Sequence, residues 1–115
     1  MPRAKRGFKA RRRRNRIMKH AKGFYSAHSR IYGDAVESVH AAWNYAYVGR
    51  RLKKRDFRRL WIARINAGAR NLGISYSKLM GQAKKSGIEL DRKVLADIAL
   101  SDPAGFKAVV EASQG

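Results

Sequence analysis

The sequence predicts an all-α protein, with a long basic N-terminal helical extension and a small C-terminal helical domain. No alternating strand pattern occurs along the chain, and the segment from Phe24 to Leu72 contains no proline and is rich in helix-forming residues. Charge is uneven: residues 1–60 hold 19 Lys and Arg against three acids, whereas residues 61–115 hold eight against five. We therefore expect a basic arm and stalk at 1–56 and a globular domain at 57–115.

The first element is a basic arm from Pro2 to Lys22, which contains eleven Lys and Arg and no acid. Its sizeable apolar side chains are few, so we expect that the arm cannot fold against itself and is disordered in the free protein. A helix between Phe8 and Ala21 should form once phosphates neutralise the charge. Gly23 is then expected to end or kink that helix.

The second element is predicted as one long helix from Phe24 to Leu72, with Gly33 and Gly49 as possible bends. At 1.5 Å per residue it would span on the order of 70 Å, which is longer than a compact domain of this chain and suggests a stalk. Near its end, apolar residues repeat at spacings of three and four and predict a buried face: Phe57, Leu60, Trp61, Ile65, Gly68 and Leu72.

Three short helices complete the predicted C-terminal domain. Gly73 should end the stalk and Gly87 the first short helix, while Ser75, Asp91 and Asp102 are the expected N-caps, the last followed by a proline. The apolar residues expected to close over Phe57, Trp61 and Ile65 are Val94, Leu95, Ile98, Phe106, Val109 and Val110.

The formal net charge of +19 predicts a polyanionic partner: RNA, DNA or an anionic membrane. In the arm, the candidate binding residues are Arg3, Lys5, Arg6, Lys9, Arg11, Arg12, Arg13, Arg14, Arg16, Lys19 and Lys22, with Arg30 beyond it. A second group, which we call the stalk cluster, comprises Arg50, Arg51, Lys53, Lys54, Arg55, Arg58 and Arg59.

The stalk cluster should form parallel rows on a helix, because Arg50, Lys54 and Arg58 follow one another at a spacing of four. We expect these rows to face away from the apolar face. Like charges at this spacing destabilise an isolated helix, which favours phosphates between them. A merely solvated face is the alternative, but solvated faces normally mix both signs of charge.

Nine of the eleven aromatic residues lie before residue 62. Phe57 and Trp61 are expected in the core. No core is evident for four tyrosines, which could stack on bases or contact phosphate, and this favours RNA over a uniform duplex: Tyr25, Tyr32, Tyr45 and Tyr47. The remaining alternatives are a nucleoid-type DNA-binding protein and a membrane-active basic helix, although the latter lacks a broad apolar face.

Catalytic, metal and cofactor sites are not expected. The chain has no cysteine, and no carboxylate is spaced to complete a zinc site with His20, His28 or His40. No phosphate-binding glycine loop or nucleophile motif occurs, so we expect neither an enzyme nor a small-molecule substrate. No signal peptide or apolar run suited to a membrane is present, which makes a soluble cytoplasmic protein the default.

Several motifs resemble the twentieth protein of the bacterial large ribosomal subunit. The most specific is residues 60–67, Leu-Trp-Ile-Ala-Arg-Ile-Asn-Ala, followed by residues 73–77 and 91–99. Residues 3–7, 21–25 and 45–47 match as well, so the likeness covers essentially the whole chain. Residues 81–83, Gly-Gln-Ala, depart from the usual pattern of this family, in which a glycine lies one position later; the change concerns packing of the short helix that Gly87 ends.

The resemblance implies a structural protein that binds 23S ribosomal RNA, acts early in large-subunit assembly and takes no direct part in peptide-bond formation. It also implies an N-terminal extension threaded among ribosomal RNA helices, a globular domain at the subunit exterior, and contacts with neighbouring large-subunit proteins. Some members of the family repress translation of their own messenger. The implied location is the ribosome in the cytoplasm.

Overall fold

The computed structural model describes residues 2–115, so Met1, with which the predicted 1–56 part begins, lies outside the described part. The α-helices are α1 (Lys9–His20), α2 (Tyr32–Asn71), α3 (Tyr76–Lys85), α4 (Arg92–Ser101) and α5 (Pro103–Gln114), with a 3₁₀ helix at Ser26–Ser29. No strand occurs among residues 2–115, and the all-α fold class is confirmed. The chain divides into two compact units, the first ending at Arg51 and the second comprising Leu52–Gly115.

The long helix is confirmed, but its predicted start at Phe24 is wrong, because α2 begins at Tyr32. Gly23 and Ser26 both have positive φ, at 86° and 57°, which interrupts a right-handed helix. The 3₁₀ helix that follows is held in part by Ser29 Oγ, which donates to the carbonyl of Ser26 at 3.1 Å. Serines compete in this way with regular helical hydrogen bonding.

The first unit has a small apolar core that the sequence did not predict. Ile17 and Ala21, from the α1 end of the arm, are buried against Ala35 and Val39 of α2. Each pair is spaced by four residues, so one short apolar face on α1 meets one on α2. The arm was expected not to fold against itself, and α1 packs instead against α2, which lies outside the arm. Alanines at two of the four positions let the two helices approach closely. Disorder of the arm in the free protein stays a prediction.

The second unit has the larger core, in which the end of α2 packs with α3, α4 and α5. Its buried residues are Ile65, Ala69, Ile74, Leu79, Leu95, Ala96, Phe106 and Val110. Four of the predicted core positions are thus confirmed, and three more, Trp61, Ile98 and Val109, are partly buried against this core.

Four predicted core positions are wrong: Phe57, Leu60, Leu72 and Val94 are all exposed, Phe57 to 44% and Val94 to 41%. The apolar face of α2 is covered only between Trp61 and Ala69. The covering helices α4 and α5 have 10 and 12 residues, which corresponds to about 15–18 Å of helix. They are too short to cover the whole of the predicted face.

The three predicted N-caps are confirmed. Ser75 Oγ accepts from the backbone N–H of Lys78 at 3.4 Å, and Asp91 Oδ1 accepts from that of Val94 at 2.8 Å. Asp102 immediately precedes the proline that begins α5, and its Oδ1 accepts from the backbone N–H of Gly105 at 3.0 Å. These side chains satisfy backbone donors that have no partner within their helices. The helix ends at Gly73 and Gly87 are also confirmed, with φ of 78° and 73°.

Residues 81–83, where the sequence departs from the pattern that it otherwise resembles, lie within α3. Ala83 is buried in α3, whereas Gly81 is exposed and a β-carbon there would meet no other atom within 4 Å. Gln82 lies between them, and its buried Oε1 has no hydrogen-bond partner within residues 2–115.

Candidate nucleic-acid interface

Every Lys and Arg of the arm is exposed. Within α1, burial is limited to Ile17, and the four consecutive arginines 11–14 all reach solvent. Seven of the twelve residues of α1 are Lys or Arg, so cations occupy most of its exposed surface. No acid occurs in its first turn, and none occurs anywhere between Pro2 and Lys22.

In the described part of the chain, nearly all of the candidate cations have no carboxylate close enough to form an ion pair. Among the predicted binding residues, and within residues 2–115, the only ion pair joins Arg59 Nη1 to Asp56 Oδ1 at 3.7 Å. The side chains of this pair are 80% and 67% exposed, so solvent screening leaves it little stabilising effect. The positive charge of the arm and stalk cluster is therefore available to an external anion.

The stalk cluster lies in α2, and all seven of its side chains are exposed. One prediction about it is wrong. In the second unit, Lys54, Arg58, Trp61 and Ile65 follow at spacings of four, three and four, which places them on the same side of the helix. The row that contains Lys54 and Arg58 thus continues the line of the apolar face. It does not oppose that face.

The four candidate tyrosines fall into two kinds. Tyr25 and Tyr45 are 89% and 76% exposed, whereas Tyr47 is 54% exposed and Tyr32 is partly buried against the core of the first unit. The guanidinium carbon of Arg14 lies 5.3 Å from the ring centre of Tyr32, and that of Arg51 lies 4.7 Å from that of Tyr47. Both distances suit a cation–π interaction.

Cation–π pairs within the chain were missed at the sequence level. Besides the two tyrosine pairs, Arg12 lies 3.9 Å over the ring of Phe8, and Lys53 lies 5.8 Å over that of Phe57. Three of the four pairs, including the pair of Tyr47 and Arg51, have a spacing of four residues. On a helix this spacing places side chains next to each other, so it is the signal that could have identified them.

The histidines are accounted for by packing and hydrogen bonding in the first unit. His20 from α1 contacts Trp43 edge to face at a ring-centre distance of 5.5 Å, and His40 lies tilted against the same indole at 5.7 Å. His28 Nδ1 is hydrogen-bonded to Ser38 Oγ at 2.7 Å. No group of three or more His, Cys, Asp or Glu that could hold a metal ion occurs in the described part of the chain.

No helix within residues 2–115 is both long enough and apolar enough to span a bilayer.

Fold and surface together define a class: small all-α proteins whose exposed cations greatly outnumber their acids. The family model described as Ribosomal protein L20 matches residues 3–109. The Large ribosomal subunit protein bL20 of Syntrophotalea carbinolica is 60% identical over 111 residues, which cover 96% of this chain and 94% of the relative. Those of Geobacter metallireducens and Sorangium cellulosum are each 56% identical, covering 99% and 96% of this chain and 97% and 93% of the relatives.

The chain belongs to the Ribosomal protein L20 family. It is therefore a structural constituent of the large ribosomal subunit and not an enzyme, as the sequence predicted. Its place is in the ribonucleoprotein particle, with ribosomal RNA and other proteins, in the cytoplasm.

Proposed function

We propose that the chain binds 23S ribosomal RNA directly, through the exposed cations of the arm, Arg30 and the stalk cluster, and thereby promotes early assembly of the large subunit. The observation that supports this most strongly is the arm itself. Its eleven Lys and Arg are all exposed, and none has a carboxylate within 4.0 Å in the described part of the chain. The assignment of residues 1–56 to RNA binding and of 57–115 to a globular domain stays a prediction.

The driving force is electrostatic. Each Lys or Arg that neutralises a phosphate releases a counterion condensed on the RNA, which favours binding at low salt. Cations distributed over α1 and the stalk cluster of α2 can contact separate RNA segments that would otherwise repel each other. Bridging such segments is how a small helical protein would promote an early assembly step without catalysing any reaction.

The cation–π pairs give some of these cations a fixed starting position. The guanidinium carbon of Arg12 lies 3.9 Å from the ring centre of Phe8, and that of Arg51 lies 4.7 Å from that of Tyr47. A guanidinium over a ring keeps N–H donors that can bind a phosphate. Because the side chain is already ordered, less conformational entropy is lost when RNA binds.

Salt dependence tests the proposal. With filter binding to folded fragments of 23S ribosomal RNA, contact with six to ten phosphates should lower affinity by about 10³–10⁵ between 50 and 200 mM salt. A shallow dependence would contradict the electrostatic mechanism. Equal competition by duplex DNA would support the nucleoid-type alternative over an RNA-binding protein.

A matched pair of variants localises the effect. We expect Arg12→Ala to remove one phosphate contact and so to reduce the slope of log affinity against log salt concentration by about 1. Lys84→Ala removes the same charge from α3, outside both basic groups, and should change the slope less. Equal changes in the two variants would mean that the arm has no special role.

Two further implications of the family resemblance stay predictions. These are contacts with neighbouring large-subunit proteins and repression of the chain's own messenger. Both would be tested with the full chain, the first by crosslinking in assembled subunits and the second by translation of its messenger with and without added protein.

A further inference from the structure

We propose that Tyr25 and Tyr45 stack on unpaired RNA bases, whereas Tyr32 and Tyr47 are held by arginines of the chain itself. This inference rests on the proposed RNA-binding function and deepens it. It divides four tyrosines that the sequence could not tell apart into two that contact bases and two that position cations.

The contrast lies in what covers each ring. Seven of the nine aromatic residues before residue 62 have a partner within the chain, either a cation, another ring or an apolar core. The seven are Phe8, Phe24, Tyr32, Trp43, Tyr47, Phe57 and Trp61. Within residues 2–115, neither Tyr25 nor Tyr45 has a ring or a cation placed over it, and they are the two most exposed of the chain's large apolar side chains.

The neighbours of Tyr45 on α2 keep its ring accessible. Side chains three and four residues away are the ones that can lie over a helical side chain. For Tyr45 the positions before it are alanines 41 and 42, and the positions after it are Val48 and Gly49. Gly49 has no side chain, and a β-carbon built there would meet nothing within 4 Å. A flat ligand therefore has room beside the ring.

Tyr47 provides the comparison two residues away. Its neighbour at a spacing of four is Arg51, whose guanidinium carbon lies 4.7 Å from the ring centre. A base could stack on this face only by displacing the guanidinium. Tyr45 and Tyr47 are both exposed tyrosines of the same helix, so the residue four positions later is what distinguishes them.

The ring of Tyr25 is exposed for a different reason from that of Tyr45. It is the N-cap residue of the 3₁₀ helix, with an extended backbone at φ −69° and ψ 136°, and its side chain forms no cap hydrogen bond. The positive φ of Gly23 and Ser26 on either side turns the chain sharply. The ring of Tyr25 therefore lies outside the packed surfaces of α1 and α2, in contrast to the adjacent Phe24, which packs against their core.

An unpaired nucleobase is the ligand whose chemistry fits these rings. It offers a flat π face to the ring, and the adjacent phosphate suits the nearby cations. Bases inside a regular duplex are already stacked on each other and cannot offer this face. The proposal therefore predicts a preference for single-stranded or bulged RNA, separate from the affinity that the cations give to any RNA.

The test compares the full chain with its variants on two probes: a single-stranded oligoadenylate containing 2-aminopurine, and an RNA duplex of equal length. Tyr25→Ala and Tyr45→Ala should each weaken single-strand binding by about 5- to 150-fold and reduce the fluorescence change of the probe. Duplex binding should change little. Tyr45→Phe should retain the single-strand affinity, because it keeps the ring.

Matched variants separate stacking from other effects. Tyr47→Ala should cause a smaller loss than Tyr45→Ala. Gly49→Arg places an arginine four residues after Tyr45, as Arg51 follows Tyr47, and should weaken single-strand binding relative to duplex binding although it adds a positive charge. Helical content measured by circular dichroism should be retained in all variants.

The outcomes distinguish this inference from the function on which it rests. If the alanine variants bind the single strand as tightly as the parent, or lose single-strand and duplex binding equally, the stacking assignment is wrong. The steep salt dependence of 23S RNA binding would survive that result. If the parent chain binds neither probe at low salt, the proposed function itself fails.

Discussion

The ring of Phe106 lies so close to the backbone of Gly68 that a β-carbon on this glycine would be 3.1 Å from Phe106 Cε1. The β-carbon of Ala99 would be 3.3 Å away on another side. Gly68 lies in α2, Ala99 in α4 and Phe106 in α5, so this glycine is where three helices of the second unit meet. Phe106 is buried at this point, with only 2% of its surface exposed.

Enlarging Gly68 should therefore destabilise the second unit. We expect Gly68→Leu to lower the free energy of unfolding by about 1–3 kcal/mol, because the new side chain must displace Phe106 or Ala99. Urea denaturation of the full chain, followed by circular dichroism, measures this. Gly81→Leu is the control, since a side chain at Gly81 enters open space and should have a neutral to favourable effect through helix propensity. A larger loss at Gly81 than at Gly68 would contradict the packing described above.

Asp102 is expected to stabilise the start of α5. It accepts a hydrogen bond from Gly105 N–H at 3.0 Å, and N-cap aspartates replaced by alanine cost about 0.5–2 kcal/mol. Asp102→Ala should lower the unfolding free energy by that amount. Asp97→Ala removes an exposed carboxylate of α4 that has no ion pair in the described part of the chain. If both variants have the same stability, the cap makes no net contribution.

Three positions on α2 should show graded effects of truncation to alanine. Ile65 is fully buried, and Ile65→Ala should cost about 2–5 kcal/mol. Trp61 is only partly buried, so its truncation should cost less than the roughly 3–5 kcal/mol of a core tryptophan. Phe57 is 44% exposed, and its loss should cost less again. If chemical denaturation gave a larger loss of unfolding free energy for Phe57→Ala than for Ile65→Ala, the covered part of the apolar face would extend to Phe57.

The contact between α1 and α2 should depend on the charge of the arm. Its core consists of four small or medium side chains, among them Ile17 and Val39, and it must offset repulsion within the arm. We expect amides of α1 to exchange rapidly in the free protein at low salt and to be protected in high salt or with RNA.

Replacing Ile17 by alanine tests that contact directly. The change shortens a buried side chain, so it should reduce the protection of α1 measured by hydrogen exchange in high salt. Asn15→Ala alters an exposed position of the same helix and should preserve that protection. Equally strong protection of α1 in both variants in high salt would show that docking does not need Ile17.

Most of the fold was predictable because its signals are local. Capping aspartates, glycines with positive φ and a long segment without proline act within a few residues of themselves, and the positions of Asp91 and Gly73 were identified on that basis. The start of α2 was not, because the backbone at Ser26 adopts a positive φ that composition does not reveal. The burial of Ile17 was not predicted, because its partners on α2 lie about 20 residues away in the sequence.

The candidate interface also has a part that was predictable from the sequence and a part that was not. The exposure of its cations was predictable, because closely spaced like charges repel one another and stay in solvent unless carboxylates pair with them. The roles of individual rings were not predictable. Tyr45 and Tyr47 have the same side chain and neighbouring positions, but one ring is open and the other lies under Arg51.

By itself, the sequence determined the helical class, the helix boundaries with strong caps, the excess of positive charge and the family. Only the tertiary structure decided which apolar residues are buried, since burial depends on how far a neighbouring helix reaches. Phe57 and Ile65 belong to one apolar pattern, yet α4 and α5 cover one and leave the other exposed. Periodicity specifies the side of a helix on which a residue lies, whereas packing decides whether anything lies against it.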